Sequence, residues 1–234
     1  MADYISPVFY DLLAVHSHIP GVREKLPPLL AGVRRSLLEI GAGTGLITTS
    51  LAECTPAEIF ALEPSATMRS VLISRLAERP DLLERVTVLP CDALSLDLDE
   101  PVEAIVMINV LYALEPGYRG RLWPVLADHL EPGGLLVLTW RDGGPPKPRP
   151  MRRLDSRRVG RHTYTVSSEI VESDGERATC RYLYRIAQGD EVLSEEELVG
   201  HAYRPAWETL REELVSAGYV RTAAPDGLLA WRRT

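Results

Sequence analysis

Lysine and asparagine are almost missing from this sequence: Lys25 and Lys147 are the only lysines, and Asn109 is the only asparagine. Arginine carries nearly all the positive charge, and 26 basic residues against 33 acidic ones leave a net charge of −7. A chain of that sign offers no general field for phosphate backbones, so nucleic acid is not an expected partner. Cysteine is scarce and scattered. Cys54, Cys91 and Cys180 have no CxxC spacing and are odd in number, which supports neither a disulfide framework nor a zinc site. The five histidines do not cluster with acids at ligand spacing, so no metal is expected. Long hydrophobic runs are missing as well. The stretch from Ala104 to Leu114 falls far short of the ~20 residues of a membrane-spanning helix, and Met1-Ala2-Asp3-Tyr4 lacks a basic leader region. The expectation is a cytoplasmic protein with no membrane partner. What is present is ordinary for a globular chain: 45% apolar and 25% charged residues over a length of 234, enough for one or two domains with a real core.

From Ser36 onward, short apolar runs alternate with amphipathic stretches, the pattern of parallel strands and their crossover helices. Strands are predicted at Ser36–Ile40, Ile59–Glu63, Val86–Leu89, Ala104–Ile108 and Leu135–Trp140. Helices are predicted over Leu46–Cys54, after Pro64 with Ser65 as N-cap and Met68, Leu72 and Leu76 on one face, and over Arg119–Leu130, ended by Pro132-Gly133-Gly134. At Arg141 the pattern breaks into a Gly/Pro loop. Alternating segments at Tyr164–Val171 and Ala178–Ile186, with Asp174-Gly175 and Gly189-Asp190 at hairpin positions, then mark an antiparallel insert over residues 149–201. A last helix is expected to present Trp207, Leu210, Leu214 and Val215 on one face and to stop at Gly218. Two short strands, Tyr219–Ala223 and Leu228–Trp231, finish the chain. The predicted domains are residues 1–148 with 202–234, and the insert 149–201.

The strongest chemical signal is Leu38-Glu39-Ile40-Gly41-Ala42-Gly43-Thr44-Gly45, lying between a strand and a helix. Glycines there let the backbone turn sharply and a ligand approach closely, while the next helix offers free N–H groups. A dinucleotide fingerprint would need its third glycine where Leu46 stands, which disfavours NAD. The plain alternative is a tight turn with no ligand. Glu63 ends the second strand, where a carboxylate can accept both ribose hydroxyls, although alone it reads as any strand-end acid. Asp92, in Pro90-Cys91-Asp92-Ala93, follows the third strand and could accept from an adenine amine or simply cap a helix. Asn109 follows the fourth strand, with Val110-Leu111-Tyr112 as the crevice floor.

These residues resemble those of class I S-adenosylmethionine-dependent methyltransferases. The resemblance rests on Glu39 to Gly45, Glu63-Pro64-Ser65-Ala66-Thr67-Met68, Cys91-Asp92-Ala93 and Leu130-Glu131-Pro132-Gly133-Gly134, and spans about Ser36 to Trp140. It implies an α/β, Rossmann-like, seven-stranded fold whose last strand is antiparallel, with S-adenosyl-L-methionine as cofactor and S-adenosyl-L-homocysteine as product. It also implies a cofactor site made by Glu39, Gly41, Ala42, Gly43, Gly45, Glu63, Pro64, Met68, Asp92, Ala93 and Asn109, with Tyr10 beside them. More loosely, the chain is similar to small-molecule N-methyltransferases of amino sugars in natural-product pathways, which share a short Tyr-Asp-Leu segment, here Tyr10-Asp11-Leu12, and an antiparallel insert.

Methyl transfer to a neutral amine is an in-line displacement that positioning and desolvation can accelerate, and a general base is optional. Candidates to orient the acceptor or take its proton are Tyr10, Tyr112, His16, His18, His162 and His201, with Tyr10 and Tyr112 preferred as catalytic residues. Between Arg141 and Arg161 lie eight basic side chains against two acidic ones. They make either a solvated lid edge or a clamp in which Arg152 and Arg153, with His201 nearby in character, hold a phosphate-bearing or acidic substrate such as a nucleotide-linked sugar. The expected reaction is methylation of an amine of a small metabolite. An O-methyltransferase, or a fold that binds the cofactor without transferring methyl, stands as the alternative. The insert could act as a lid or pair subunits into a homodimer.

Overall fold

The computed structural model describes residues 6–15, 17–141, 144 and 146–234. The chain divides into two compact units, residues 19–142 with 207–234, and residues 1–18 with 143–206.

The larger unit opens with α2 (Ile19–Leu30) and then alternates β1 (Ser36–Ile40), α3 (Leu46–Cys54), β2 (Glu58–Leu62), α4 (Ala66–Ala77), α5 (Pro80–Leu83), β3 (Val86–Leu89), β4 (Val102–Met107), α6 (Pro116–Asp128) and β5 (Leu130–Thr139). After the second unit it resumes with α7 (Trp207–Ser216), β10 (Tyr219–Thr222) and β11 (Leu228–Arg233). Its sheet runs β10-β11-β5-β4-β1-β2-β3, parallel except where β11 enters antiparallel between β10 and β5. Seven strands with the last one antiparallel are what the sequence resemblance implies. β1 and β4 lie at its centre with helices on both faces, so their residues are apolar nearly throughout. Leu37, Leu38, Ala104, Ile105, Val106 and Met107 are completely buried. Because β1 to β5 all point the same way, the loops after β1, β2, β3 and β4 gather along one edge of the sheet.

Two predicted features of this unit differ. Pro132-Gly133-Gly134 does not end α6, which stops at Asp128; it forms a bulge early in β5, where the pairing jumps from Val102–Leu130 to Ala104–Leu135. Gly133 takes φ +75°, and a Cβ on Gly134 would stand 2.8 Å from the Glu131 carbonyl oxygen. Val215 is exposed, because Leu210 and Leu214 alone supply the buried stripe of α7. The N-terminus of α7 is fixed by aromatic contacts: Trp207 lies 5.5 Å from Trp140 and 6.1 Å from Trp231, with the Arg221 guanidinium 4.5 Å above its ring.

The smaller unit is an antiparallel sheet, β6 (Arg149–Val159), β7 (His162–Asp174), β8 (Arg177–Gln188) and β9 (Glu191–Tyr203), with α1 (Pro7–Ala14) packed on it. The glycines of its hairpins, Gly160, Gly175 and Gly189, all have positive φ, as tight turns between twisted strands demand. The basic run read as a solvated lid edge or a substrate clamp is largely β6, an edge strand with arginines on both faces. α1 belongs to this unit, its Phe9 buried between Tyr164 and Tyr184 at ring distances of 5.4 and 5.0 Å.

One buried charge pair ties the larger unit together. Arg119 of α6 is fully buried and makes two hydrogen bonds to the Glu213 carboxylate of α7, at 2.9 and 3.0 Å, and a third to the Leu114 carbonyl at 3.0 Å. Trp123 adds an indole N–H to the same carboxylate at 2.9 Å. Removing Glu213 strands the fully buried guanidinium, so Glu213→Ala is expected to cost about 3–5 kcal/mol of stability. Chemical denaturation of the variant measures this, and a loss below about 1 kcal/mol would contradict it.

Candidate active site

The turn after β1 is built from three left-handed glycines, Gly41 at φ +71°, Gly43 at φ +58° and Gly45 at φ +84°. A Cβ on Gly41 would stand 2.5 Å from Val110 Cγ2, and one on Gly45 would collide with Leu72 Cδ1, so packing as well as φ demands glycine. The backbone N–H groups of Gly41 and Ala42 both donate to the Leu62 carbonyl, at 2.8 and 3.0 Å, which folds the loop against the end of β2. Gly45 caps α3 with its left-handed backbone.

Glu63, directly after β2, is nearly buried and accepts from two backbone N–H groups, Gly43 onto Oε2 and Ser65 onto Oε1, each at 2.8 Å. The Arg69 guanidinium donates to the Glu63 carbonyl at 2.7 Å, and Ser65 caps α4 at the Met68 N–H, 3.4 Å away. Pro64 lies in this connection and Met68 is half-buried in the first turn of α4. After β3, Asp92 caps the short 3₁₀ turn Ala93–Ser95 by accepting from the Leu94 N–H at 3.0 Å, and the Tyr118 hydroxyl donates to the same oxygen at 2.6 Å. Ala93 is buried behind it. After β4, Asn109 is the only residue other than glycine with a positive φ, +60°, among the described residues, and its N–H donates to the Thr139 hydroxyl at 2.7 Å. Tyr112 is half-buried on the 3₁₀ turn Leu111–Ala113 that follows. Left-handed asparagine at a strand end is a strained choice of the kind found at ligand sites.

Glu39 is buried on β1 and accepts from the Thr48 hydroxyl at 2.6 Å. Burial pushes its carboxyl up to about 7; the Thr48 hydrogen bond opposes this and the Glu63 charge adds to it. Burial, with the Asp92 hydrogen bond and charge, likewise pushes the Tyr118 phenol far above its ordinary value.

The larger unit thus carries Gly41, Ala42, Gly43, Gly45, Glu63, Pro64, Asp92, Ala93, Asn109 and Tyr112 on the four strand-end connections, with Glu39 in β1 and Met68 in the first turn of α4. Tyr10, Arg152, Arg153 and His201 belong to the smaller unit. There Tyr10 is half-buried on α1, Arg152 and Arg153 are exposed on β6, and His201 is exposed on β9 with its Nδ1 3.3 Å from the Thr179 hydroxyl. Arg152 and Arg153 pair with consecutive residues of β7, Ser168 and Ser167, so they face opposite sides of the sheet and do not clamp together. His16 lies outside the described residues. Tyr118, Thr48 and Thr139 were missed by sequence reasoning; each is a hydroxyl that meets the site only once the helices pack. Among the described residues no cluster of metal-ligating side chains occurs, and no helix is long and apolar enough to cross a membrane.

Residues 38–136 match the family model described as a methyltransferase domain. An uncharacterized methyltransferase of Mycobacterium tuberculosis is 27% identical over 186 residues, 68% of this chain and 72% of that protein. CalS10, described as an amino pentose methyltransferase of Micromonospora echinaspora in calicheamicin biosynthesis and solved with S-adenosylmethionine, superposes with a TM-score of 0.75 at 19% identity, covering 100% of this chain and 99% of that one. KedS8, a sugar N-methyltransferase of Streptoalloteichus, superposes with the same TM-score at 21% identity, covering 100% and 95%. Residues 38–136 thus carry a methyltransferase domain, and the seven-stranded sheet of the larger unit has the fold of class I methyltransferases.

The raised Glu39 carboxyl has a consequence for stability. The folded chain keeps this proton where the unfolded chain has lost it, so the group lowers stability as pH rises from about 4.5 to about 7, with the loss complete above that. Glu39→Gln keeps an acceptor for Thr48 and removes the titration. The ligand-free variant is expected to gain, relative to wild type, on the order of 3 kcal/mol between pH 5 and pH 8. Parallel stability profiles from denaturant titrations at the two pH values would contradict it.

Proposed function

We propose that this enzyme transfers a methyl group from S-adenosyl-L-methionine to an amine of a small metabolite, an amino sugar or a nucleotide-linked amino sugar in natural-product biosynthesis, with S-adenosyl-L-homocysteine as product. The observation that carries the reading is a glycine turn and strand-end acids of a methyltransferase domain combined in one chain with a four-stranded antiparallel unit. Proteins described as an amino pentose methyltransferase and a sugar N-methyltransferase superpose on 100% of this chain.

The residues fit the cofactor. Glu63 is fixed by two backbone donors and keeps lone pairs for a ribose diol, while Asp92 Oδ2 has no partner among the described residues and is open to an amine donor. The loop of Gly41, Ala42, Gly43 and Gly45 would lie under the methionine part with Glu39 behind it, and Pro64, Met68, Ala93 and Asn109 would border the nucleoside. When bound, the cofactor supplies a methyl group on a positively charged sulfur that a neutral nitrogen displaces. The protein's part is then to bind, orient and keep out water. Tyr112 would orient the acceptor nitrogen, whose surplus proton passes to water after the transfer; on the smaller unit, Tyr10, one of Arg152 and Arg153, and His201 are the groups proposed to meet an acceptor.

The acceptor class is tested by incubating the enzyme with S-adenosylmethionine and paired sugars that differ only in carrying an amine or a hydroxyl at one carbon, with products identified by mass spectrometry. Methylation of the amine and not of its hydroxyl partner is expected; methylation of oxygen alone would overturn the reading. Arg152→Ala or Arg153→Ala is expected to raise KM for a phosphate-bearing acceptor while leaving KM for the methyl donor unchanged. Equal acceptor KM in both variants and wild type would remove either arginine as the contact to an anionic acceptor. The reading includes a homodimer: the smaller unit's sheet ends in an arginine-rich edge, β6, and a glutamate-rich edge, β9, and leaves Leu154, Val159, Val192, Leu193 and Val199 exposed.

A further inference from the structure

The first turn of α6 reaches back to the loop after β3. Pro116 opens the helix, Tyr118 donates its N–H to the Glu115 carbonyl at 3.1 Å, and its half-buried ring is packed on the apolar core with the Arg121 guanidinium 5.9 Å from its centre. So held, the phenol spans 26 residues of sequence to put its hydroxyl 2.6 Å from Asp92 Oδ1. The Leu94 N–H reaches the same oxygen at 3.0 Å. Two donors on one carboxylate oxygen fix the plane of the group and leave Oδ2 as a free acceptor of set direction among the described residues. The phenol is pushed toward its protonated form by burial and by Asp92 itself, so it remains a donor throughout the neutral range.

We propose that Tyr118 is the positioning residue of the purine end of the cofactor site, holding Asp92 so that one acceptor-only oxygen faces the exocyclic amine and an oxo purine is rejected. The proposal rests on the reading of Asp92 as the adenine-amine acceptor. Its physical content is preorganisation: the carboxylate is immobilised on folding, so binding does not bear that entropy loss. Its specificity content is repulsion, because a carbonyl in place of the amine would set oxygen against oxygen with no proton between them.

The test is calorimetric titration of the full-length protein with S-adenosylhomocysteine and with its inosine analogue, in wild type, Tyr118→Phe, Tyr118→His, Asp92→Ala and the Tyr118→Phe/Asp92→Ala double variant. Tyr118→Phe is expected to weaken S-adenosylhomocysteine about tenfold while the ligand-free variant stays folded, with the circular dichroism spectrum of wild type. It is also expected to narrow the preference over the inosine analogue. Tyr118→His, still a donor, recovers part of the affinity, and in the Asp92→Ala background Tyr118→Phe has no further effect. Unchanged affinity in Tyr118→Phe, or the same loss in both backgrounds, would overturn the proposal. No binding by wild type would instead overturn the cofactor reading on which it stands.

Discussion

A single carboxylate closes the turn on which the site depends. Glu63 accepts the N–H of Gly43 from the loop after β1 and the N–H of Ser65 at the start of α4, so one side chain locks the glycine turn to the next helix. Without that anchor three successive left-handed glycines would be a floppy segment, since glycine loses more backbone freedom on folding than any other residue. The Leu62 carbonyl reinforces the same joint by accepting from Gly41 and Ala42. The joint places the Glu39 carboxyl close enough to feel the Glu63 charge, and leaves the turn's shape independent of any ligand.

The other half of the site hangs on α6. Tyr118 grips Asp92 after β3, and its neighbour Arg119 grips the Leu114 carbonyl after β4 and the Glu213 carboxylate of α7. Adjacent residues on one helical turn thereby fix two strand-end loops, one by a neutral hydroxyl and one by a fully buried cation. Thr139 at the end of β5 completes the arrangement by holding Asn109 in its left-handed conformation. Along this end of the sheet each loop is hydrogen-bonded to the element beside it.

Much of this was legible in the chain. β1 and α3 fall at the predicted residues, Ser65 caps α4 as its side chain suggests, and two of the three hairpin glycines of the antiparallel insert, Gly175 and Gly189, were found. Local chemistry decides these, through glycine, proline, capping serine and apolar runs. What could not be read was set by tertiary packing. Arg149–Val159 is charged at too many positions to look like a strand, yet as an edge strand it needs only one neighbour and tolerates arginine on both faces. Asp92 was weighed as a cap or as a ligand group and is demonstrably a cap through Oδ1, leaving its second oxygen available. Tyr118, Thr48 and Arg119 carry no sequence signature, because their partners lie 26, 9 and 94 residues away.

The most direct measurement is a crystal structure of the protein grown with S-adenosylhomocysteine. The account predicts the ribose hydroxyls on the Glu63 carboxylate, the adenine amine on Asp92 Oδ2, and the Gly43 and Ser65 bonds to Glu63 retained. A ligand seated elsewhere, or a Glu63 side chain that must leave its two backbone donors to reach the ribose, would contradict it.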